Sequence, residues 1–153
     1  HKHGEWSFFG EDGALQSKGQ FEEGKKQGKW KHYAATGWKY EVKMFEKGKR
    51  ILPHFTYFEN GQLNSKKTID SLQTWYESSV LNSVLLRRNG EDKGKCVQYW
   101  PNGVKAREFF ESQRNRNLDY DDYWDTTGVK INRYKFSQLR WELELTEWLP
   151  DYN

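Results

Sequence analysis

The chain has 153 residues with 25 basic and 22 acidic side chains, a net charge of +3 and a hydrophobic fraction of only 35 %. The length fits one domain, and the near balance of charge excludes the strong basic excess of a dedicated nucleic-acid-binding domain. Aromatic residues make up 17 % of the chain, which excludes disorder and favours a thin sheet with wide, wet faces over a thick aliphatic core. The single cysteine, Cys96, excludes an intrachain disulfide and is expected to be a buried apolar residue. No apolar stretch is long enough to predict a transmembrane helix.

An aromatic residue followed four positions later by glycine recurs along the chain. The first three copies are 24 residues apart, and a period of this size is typical of repeat architectures. Two degenerate copies fill the gaps, in which Tyr76 leads to Val80 and Trp124 leads to Gly128. The clear copies are Phe9–Gly13, Tyr33–Gly37, Tyr57–Gly61 and Tyr99–Gly103.

Each copy predicts a β-hairpin. Asp-Gly or Asn-Gly between two extended runs is a strong hairpin signal, because glycine reaches positive φ without strain. The return strand after Gly37 shows period-2 alternation and predicts one buried face, with Trp38, Tyr40, Val42 and Met44 on one side. Return strands are expected to end on a bulky residue eight positions after the turn glycine, at Phe21, Phe45, Ile69 and Phe136.

Trp30 and Tyr33 are three residues apart, so a regular strand places them on opposite faces. Either both faces carry aromatic residues, or a bulge lies between these two.

The second half of the chain is less regular. Ser71 to Leu86 is expected to become briefly helical, and residues 111–122 are predicted to be a polar loop. In the C-terminal stretch, Trp141, Leu143 and Leu145 alternate with glutamates and favour a strand, while a helix after a Ser137 cap is the alternative. Either element would cap the stack. We therefore predict a single repeat domain over 1–153, with regular repeats at 3–63, degenerate repeats at 64–136 and a cap at 137–153.

The run from Lys26 to Tyr33, followed by Gly37 and then by Phe45 to Lys49, resembles the variant MORN repeat, as found in bacterial antitoxin-like proteins of the YwqK type. The resemblance implies an all-β fold, an elongated single-layer antiparallel sheet of about six stacked hairpins. It also implies a non-catalytic, protein-binding or scaffolding role, membrane contact for some members, and no catalytic residues. The segment Gly4–Gly13 is also similar to choline- and glucan-binding repeats of bacterial surface proteins, but those repeats are nearer 20 residues, so the spacing favours the MORN variant.

Aromatic side chains are the strongest candidate binding residues, because a rigid ring gives much contact for little entropy. The alternative is that these rings form the core of the sheet. One sheet layer cannot cover both of its own faces, so some rings are expected to be exposed. The predicted concave strip consists of Trp38, Tyr40, Tyr57, Trp100 and Trp124.

Charged residues give weaker candidates. Basic pairs at repeat junctions are expected to line one edge, either as a solvated edge or as a site for anionic lipid. The acidic residues Asp119, Asp121, Asp122 and Asp125 lack the spacing of a calcium loop. His32 and His54 lie in unrelated frames and suggest no shared site. The basic pairs are Lys25-Lys26, Lys49-Arg50, Lys66-Lys67 and Arg87-Arg88.

The chain is thus predicted to be a non-catalytic binding protein that presents an aromatic face to a protein partner in an antitoxin- or immunity-like or scaffolding role. The alternatives are a carbohydrate- or cell-wall-binding module and a membrane-associated scaffold that contacts anionic lipid; a homodimer also fits. No nucleic acid, cofactor or metal is expected, and no catalytic motif is present. The chain begins inside a repeat, with His3–Trp6 matching Gln27–Trp30, which predicts an upstream segment such as a leader of an exported bacterial protein or a lipid anchor.

Overall fold

A computed structural model describes residues 1–88, 91, 94–111 and 120–145, and in them the chain forms one antiparallel sheet whose twelve strands follow sequence order. The predicted all-β stack of hairpins is confirmed. The strands are β1 (Gly4–Phe9), β2 (Leu15–Glu22), β3 (Lys25–Tyr33), β4 (Lys39–Glu46), β5 (Lys49–Tyr57), β6 (Leu63–Lys67), β7 (Ser71–Trp75), β8 (Leu81–Leu86), β9 (Gly94–Tyr99), β10 (Lys105–Glu111), β11 (Asp121–Trp124) and β12 (Lys130–Ile131). A helix, α1 (Arg133–Glu142), follows the last strand.

The predicted glycines lie in the tight turns. The amide of each donates to the carbonyl three residues earlier, as Gly37 does to Ala34 at 2.8 Å, and the backbone there has a positive φ that glycine adopts without strain. In the fourth copy Ser79 takes this place with φ 68° and donates to the Tyr76 carbonyl. The leading aromatic residue of that copy is therefore Trp75 rather than Tyr76, and the predicted alignment of Tyr76 with Val80 is wrong by one position.

A bulge recurs in each of the first five hairpins. On β4, His32 pairs with Glu41 and Tyr33 pairs with Lys39, which leaves Tyr40 as an extra residue. Strand β3 has no extra residue between Trp30 and Tyr33, so both faces carry aromatic residues. Val42 keeps the predicted alternation, but the bulge removes Tyr40 from it. The five extra residues are Gln16, Tyr40, Asn64, Asn82 and Ala106.

Both clusters of core residues lie on one side of the sheet, which we call face A; the opposite side is face B, on which Val42 is buried. Near the C-terminal end, Phe136 of α1 packs on Trp100 and Tyr123, and a smaller cluster joins Leu85 and Cys96 to Phe109 and Leu72. Cys96 is buried, as expected. At the other end the rings of Phe8, Phe21 and Phe45 contact the fully buried Trp30, and Trp6 packs on Phe8 and Phe21.

Three sequence-based predictions of local structure are wrong. The helix expected in Ser71 to Leu86 is the hairpin β7–β8, because Ser79 supplies the turn that the missing glycine would have made. At the C-terminus the helix that the sequence offered as the alternative is present as α1, and the favoured strand is not; Asn132 caps it by accepting the Lys135 amide, whereas Ser137 lies inside it. Phe136 therefore lies in a helix rather than at a strand end, and Ile69 lies in the connection after β6.

Of the predicted polar loop, Glu111 ends β10 and residues 121–122 begin β11, while 112–119 lie outside the described residues. Within the described ranges no helix has the length and apolar character needed to cross a bilayer.

Candidate functional site

The five predicted binding residues lie in three different environments. Tyr57 and Trp124 are half-buried on face B, each beneath a lysine ammonium. Trp38 and Tyr40 contact each other edge to face at 6.1 Å, and Tyr40 lies 6.3 Å from the His32 ring on face A. Trp100 is fully buried against α1 and its indole N–H donates to the Trp124 carbonyl at 3.0 Å, so its ring belongs to the core. The structure therefore does not bring the five side chains together in one strip.

A different set of rings lines face B with one member per repeat. Each is the last strand residue before a turn, and strand alternation places it opposite the face A core. Each ring pairs across its hairpin with a leucine or a lysine, which for the last ring is Lys130. We call this set the ring row, and its members are Phe9, Tyr33, Tyr57, Trp75, Tyr99 and Trp124.

Lysines contact two of these rings directly. Lys39 Nζ lies 3.5 Å from the centroid of Tyr57, and Lys105 Nζ lies 3.8 Å from that of Trp124. At these distances the ammonium is attracted to the negative face of the ring. The ring row thus presents cationic and aromatic groups side by side.

Charges on face B are compensated in the C-terminal half. Glu108 accepts ion pairs from Lys95 at 3.0 Å and Lys105 at 3.3 Å, and Asp122 pairs with Lys130 at 2.8 Å. The hydrogen bond from Lys95 holds the pKa of Glu108 below its usual range, because it outweighs desolvation, which alone would raise that pKa.

The N-terminal half of face B is different. Lys18 and Lys31 lie directly opposite each other across β2 and β3, and neither has an ion-pair partner in the described ranges. Like charges in this arrangement oppose folding. Lys66 continues the same row on β6, beside Phe55 of β5. The facing pair Lys18 and Lys31 therefore carries positive charge that no ion pair in the described ranges neutralises.

Face A carries a ladder of mostly polar side chains, in which each residue is the cross-strand partner of the next. In its middle, short hydroxyls bond in pairs: Thr56 to Ser65 at 2.6 Å and Thr74 to Ser83 at 2.7 Å. Each ladder residue lies either five residues before the turn residue of its hairpin or four residues after it. The polar ladder consists of Ser17, His32, Glu41, Thr56, Ser65, Thr74, Ser83, Gln98 and Arg107.

The two histidines occupy different positions in their repeats, as expected, but the structure places both beside the same residue of β4. Strands β3 and β5 flank β4, and both histidines lie on face A beside Glu41. His54 Nε2 is 2.7 Å from Glu41 Oε1, and Lys43 Nζ is 2.6 Å from Oε2. Because a carboxylate only accepts, His54 Nε2 carries the hydrogen.

Burial lowers the pKa of both histidines. For His54 the hydrogen bond to Glu41 opposes this effect without reversing it, and for His32 the charge of Lys43 adds to it. Burial alone would raise the pKa of Glu41, but hydrogen bonds from Lys43 and His54 outweigh it and lower that pKa. At neutral pH this cluster is therefore a carboxylate between two neutral imidazoles.

The acidic and basic candidates take structural roles. Asp121 accepts hydrogen bonds from Nε and Nη2 of Arg107 at 2.6 and 2.8 Å. Asp125 caps its own turn by accepting hydrogen bonds from the amides of Thr127 and Val129. Asp119 lies outside the described residues, and no three metal-ligating side chains in the described ranges are grouped to hold an ion. The first three basic pairs lie at the junction ends of β3, β5 and β6, where strand alternation divides each pair between the two faces.

Comparison with known proteins gives one finding. Residues 2–23 match the family model described as MORN repeat variant, and this segment holds the hairpin β1–β2. No curated protein and no solved structure gives a significant match. Repeats of this variant are generally modules that bind proteins or membranes rather than catalytic units. The first hairpin is thus similar to a MORN repeat variant, and the hairpins that follow it repeat its turn.

Proposed function

We propose that the protein is a non-catalytic binding module. Its face B binds a protein partner whose surface is acidic and partly apolar. The observation that carries this proposal is the facing pair Lys18 and Lys31, uncompensated beside the ring row. A like-charge pair that opposes folding suits a surface whose neutralising group arrives with a partner. The rings supply the desolvated anchors that hot spots need. An antitoxin-like or scaffolding role is the biological form of this function that we favour.

The test is a pull-down from the source organism with the chain as bait, followed by mass spectrometry. We expect a partner that the Lys31→Gln bait and the Tyr57→Ala bait both lose, because each removes a face B group. The matched control baits are Lys130→Gln, on the compensated half of face B, and Tyr40→Ala on face A. Binding should weaken as salt rises, since exposed charges are screened.

Two results would overturn the proposal. One is a partner retained by both face B variants. The other is a chain that captures no protein but sediments with vesicles containing anionic phosphatidylserine, which would make face B a membrane surface instead.

A further inference from the structure

A polar pocket of about 340 Å³ lies on face A where the first two hairpins meet. Its wall includes Asp12 of the first turn, Gln16 and Ser17 of β2, His32 of β3, and Tyr40 of β4. This volume is at the lower end of the range for small-molecule sites. Leu15 and Tyr33, which strand pairing assigns to face B, also line it.

The pocket exists because the first repeat lacks a ring that later repeats have. In each turn one residue accepts the turn amide through its carbonyl, and in the third to fifth copies that residue is Phe58, Tyr76 or Trp100. In the first two copies it is Gly10 and Ala34. In the fourth and fifth copies this ring reaches the next copy, where Tyr76 and Trp100 donate to the Tyr99 and Trp124 carbonyls. Because the first copy has Gly10 at this position, the corresponding space between the first copy and the second is open.

The side chains around this space offer hydrogen bonds of both kinds. A Cβ at Gly10 would lie 2.6 Å from Asp12 Oδ1 and 2.9 Å from Gln16 Nε2, so a carboxylate and an amide converge where this glycine leaves room. Asp12 Oδ1 already accepts the Ala14 amide at 3.0 Å. His32 Nε2 is buried and makes no hydrogen bond within the described ranges. A hydroxyl group, which both donates and accepts, satisfies either tautomer of this imidazole.

One wall is aromatic. Tyr40 is 39 % exposed and is held by the edge of Trp38 on one side and by His32 on the other. No lysine or arginine is among the residues that line the pocket, and Asp12 would repel a phosphate. An aromatic platform beside a carboxylate, an amide and a hydroxyl suits a neutral molecule with C–H surfaces and many hydroxyls.

From these observations we propose that this pocket binds a sugar ring, with Tyr40 as the platform and with Asp12, Gln16 and His32 as partners for its hydroxyls. The bulge places Tyr40 there, because as the extra residue of β4 it leans toward face A beside Glu41.

The test is an NMR titration of the ¹⁵N-labelled chain with maltotetraose, cellotetraose, N-acetylchitotetraose and mannotetraose, each to about 20 mM, since a small open site implies millimolar affinity. At least one sugar should shift the Trp38 indole and His32 ring signals saturably. Gly10→Phe, which copies Phe58 of the third repeat and fills the space beside Asp12 and Gln16, should weaken that binding at least about tenfold. Tyr57→Ala on face B should leave it unchanged.

The proposal is overturned if none of the four sugars shifts these signals, or if the shifts persist with equal affinity in Gly10→Phe. Signal dispersion reports whether that variant folds. If it does not, Tyr40→Ala replaces it with the same expected loss, and retained affinity in Tyr40→Ala overturns the proposal equally.

Discussion

Gly19→Ala is expected to destabilise the N-terminal hairpins by pushing Trp30 out of its packed position. A Cβ built on Gly19 lies 2.5 to 2.7 Å from three atoms of the Trp30 indole, well inside ordinary van der Waals contact. Trp30 is 0 % exposed and cannot swing into solvent without losing its partners. Its ring lies 5.1 Å from Phe21, and Lys26 Nζ lies 4.1 Å from its centroid.

Overpacking of this kind costs about 1–3 kcal/mol, and the stiffer unfolded chain of the alanine variant returns about 0.4–1 kcal/mol. We therefore expect a net loss of about 1–2 kcal/mol in the free energy of unfolding. For a chain of this length that corresponds to a decrease in Tm of about 2–8 °C.

The assay is urea unfolding followed by tryptophan fluorescence, with a double-mutant cycle to isolate the clash. In a Trp30→Leu background the ring is absent, so adding Gly19→Ala should cost nothing or stabilise slightly. Gln20→Ala, at an exposed position on the same strand, is the matched control and should change stability by less than about 0.5 kcal/mol. An equal cost of Gly19→Ala in both backgrounds, or a variant as stable as the parent, would refute the reasoning.

Three further predictions concern the fourth turn, the two histidines and the ion pair between Arg107 and Asp121. Ser79→Gly should stabilise the chain by about 0.5–1 kcal/mol, because Ser79 has φ 68° and glycine tolerates that region better. Stability should fall as the pH is lowered from about 6.5, since burial lowers the pKa of His32 and His54 and the unfolded state then binds more protons. Arg107→Ala should cost about 3 kcal/mol, because it leaves the Asp121 carboxylate without its two-nitrogen partner at 2.6 and 2.8 Å.

Thermal or urea unfolding checks each of these values. A Ser79→Gly variant less stable than the parent would contradict the turn assignment. The acid loss should shrink when both histidines are changed to glutamine, and an unchanged pH profile would show that other groups cause it. Adding Asp121→Ala to Arg107→Ala should recover part of the loss; an additive double variant would show that the pair is not coupled.

The repeat was readable from the sequence because turns depend on local chemistry. Positive φ favours glycine, so a spaced series of glycines located five of the six turns correctly. The fourth turn escaped because Ser79 takes a glycine conformation that no sequence signal marks. The C-terminal stretch fits both periods, and the Asn132 cap together with the packing of Phe136 on Trp100 selects the helix.

The candidate sites could be predicted only partly from the sequence, because strand pairing decides on which face of the sheet a side chain lies. Tyr40 and Tyr57 were found as aromatic residues, but the recurrent bulge places them on opposite sides of the sheet. The contact of Glu41 with His54 joins residues on neighbouring strands, and the number of residues between them gives no hint of it. Counting positions from each turn residue would have revealed that His32 and Glu41 are cross-strand partners in the polar ladder, but His54 lies outside that count.

The short fourth repeat shows where such a chain tolerates a change in length. It is six residues shorter than its neighbours, yet Thr74 and Ser83 keep the same separations from their turn as Thr56 and Ser65 do. The six missing residues are all lost from the ends of β6 and β7 that meet at the junction between the two hairpins, which leaves each strand with five residues. Evolution and protein engineering can therefore trim or extend the stack at those junctions, whereas one residue inserted between the ladder and a turn would exchange inside for outside along that strand.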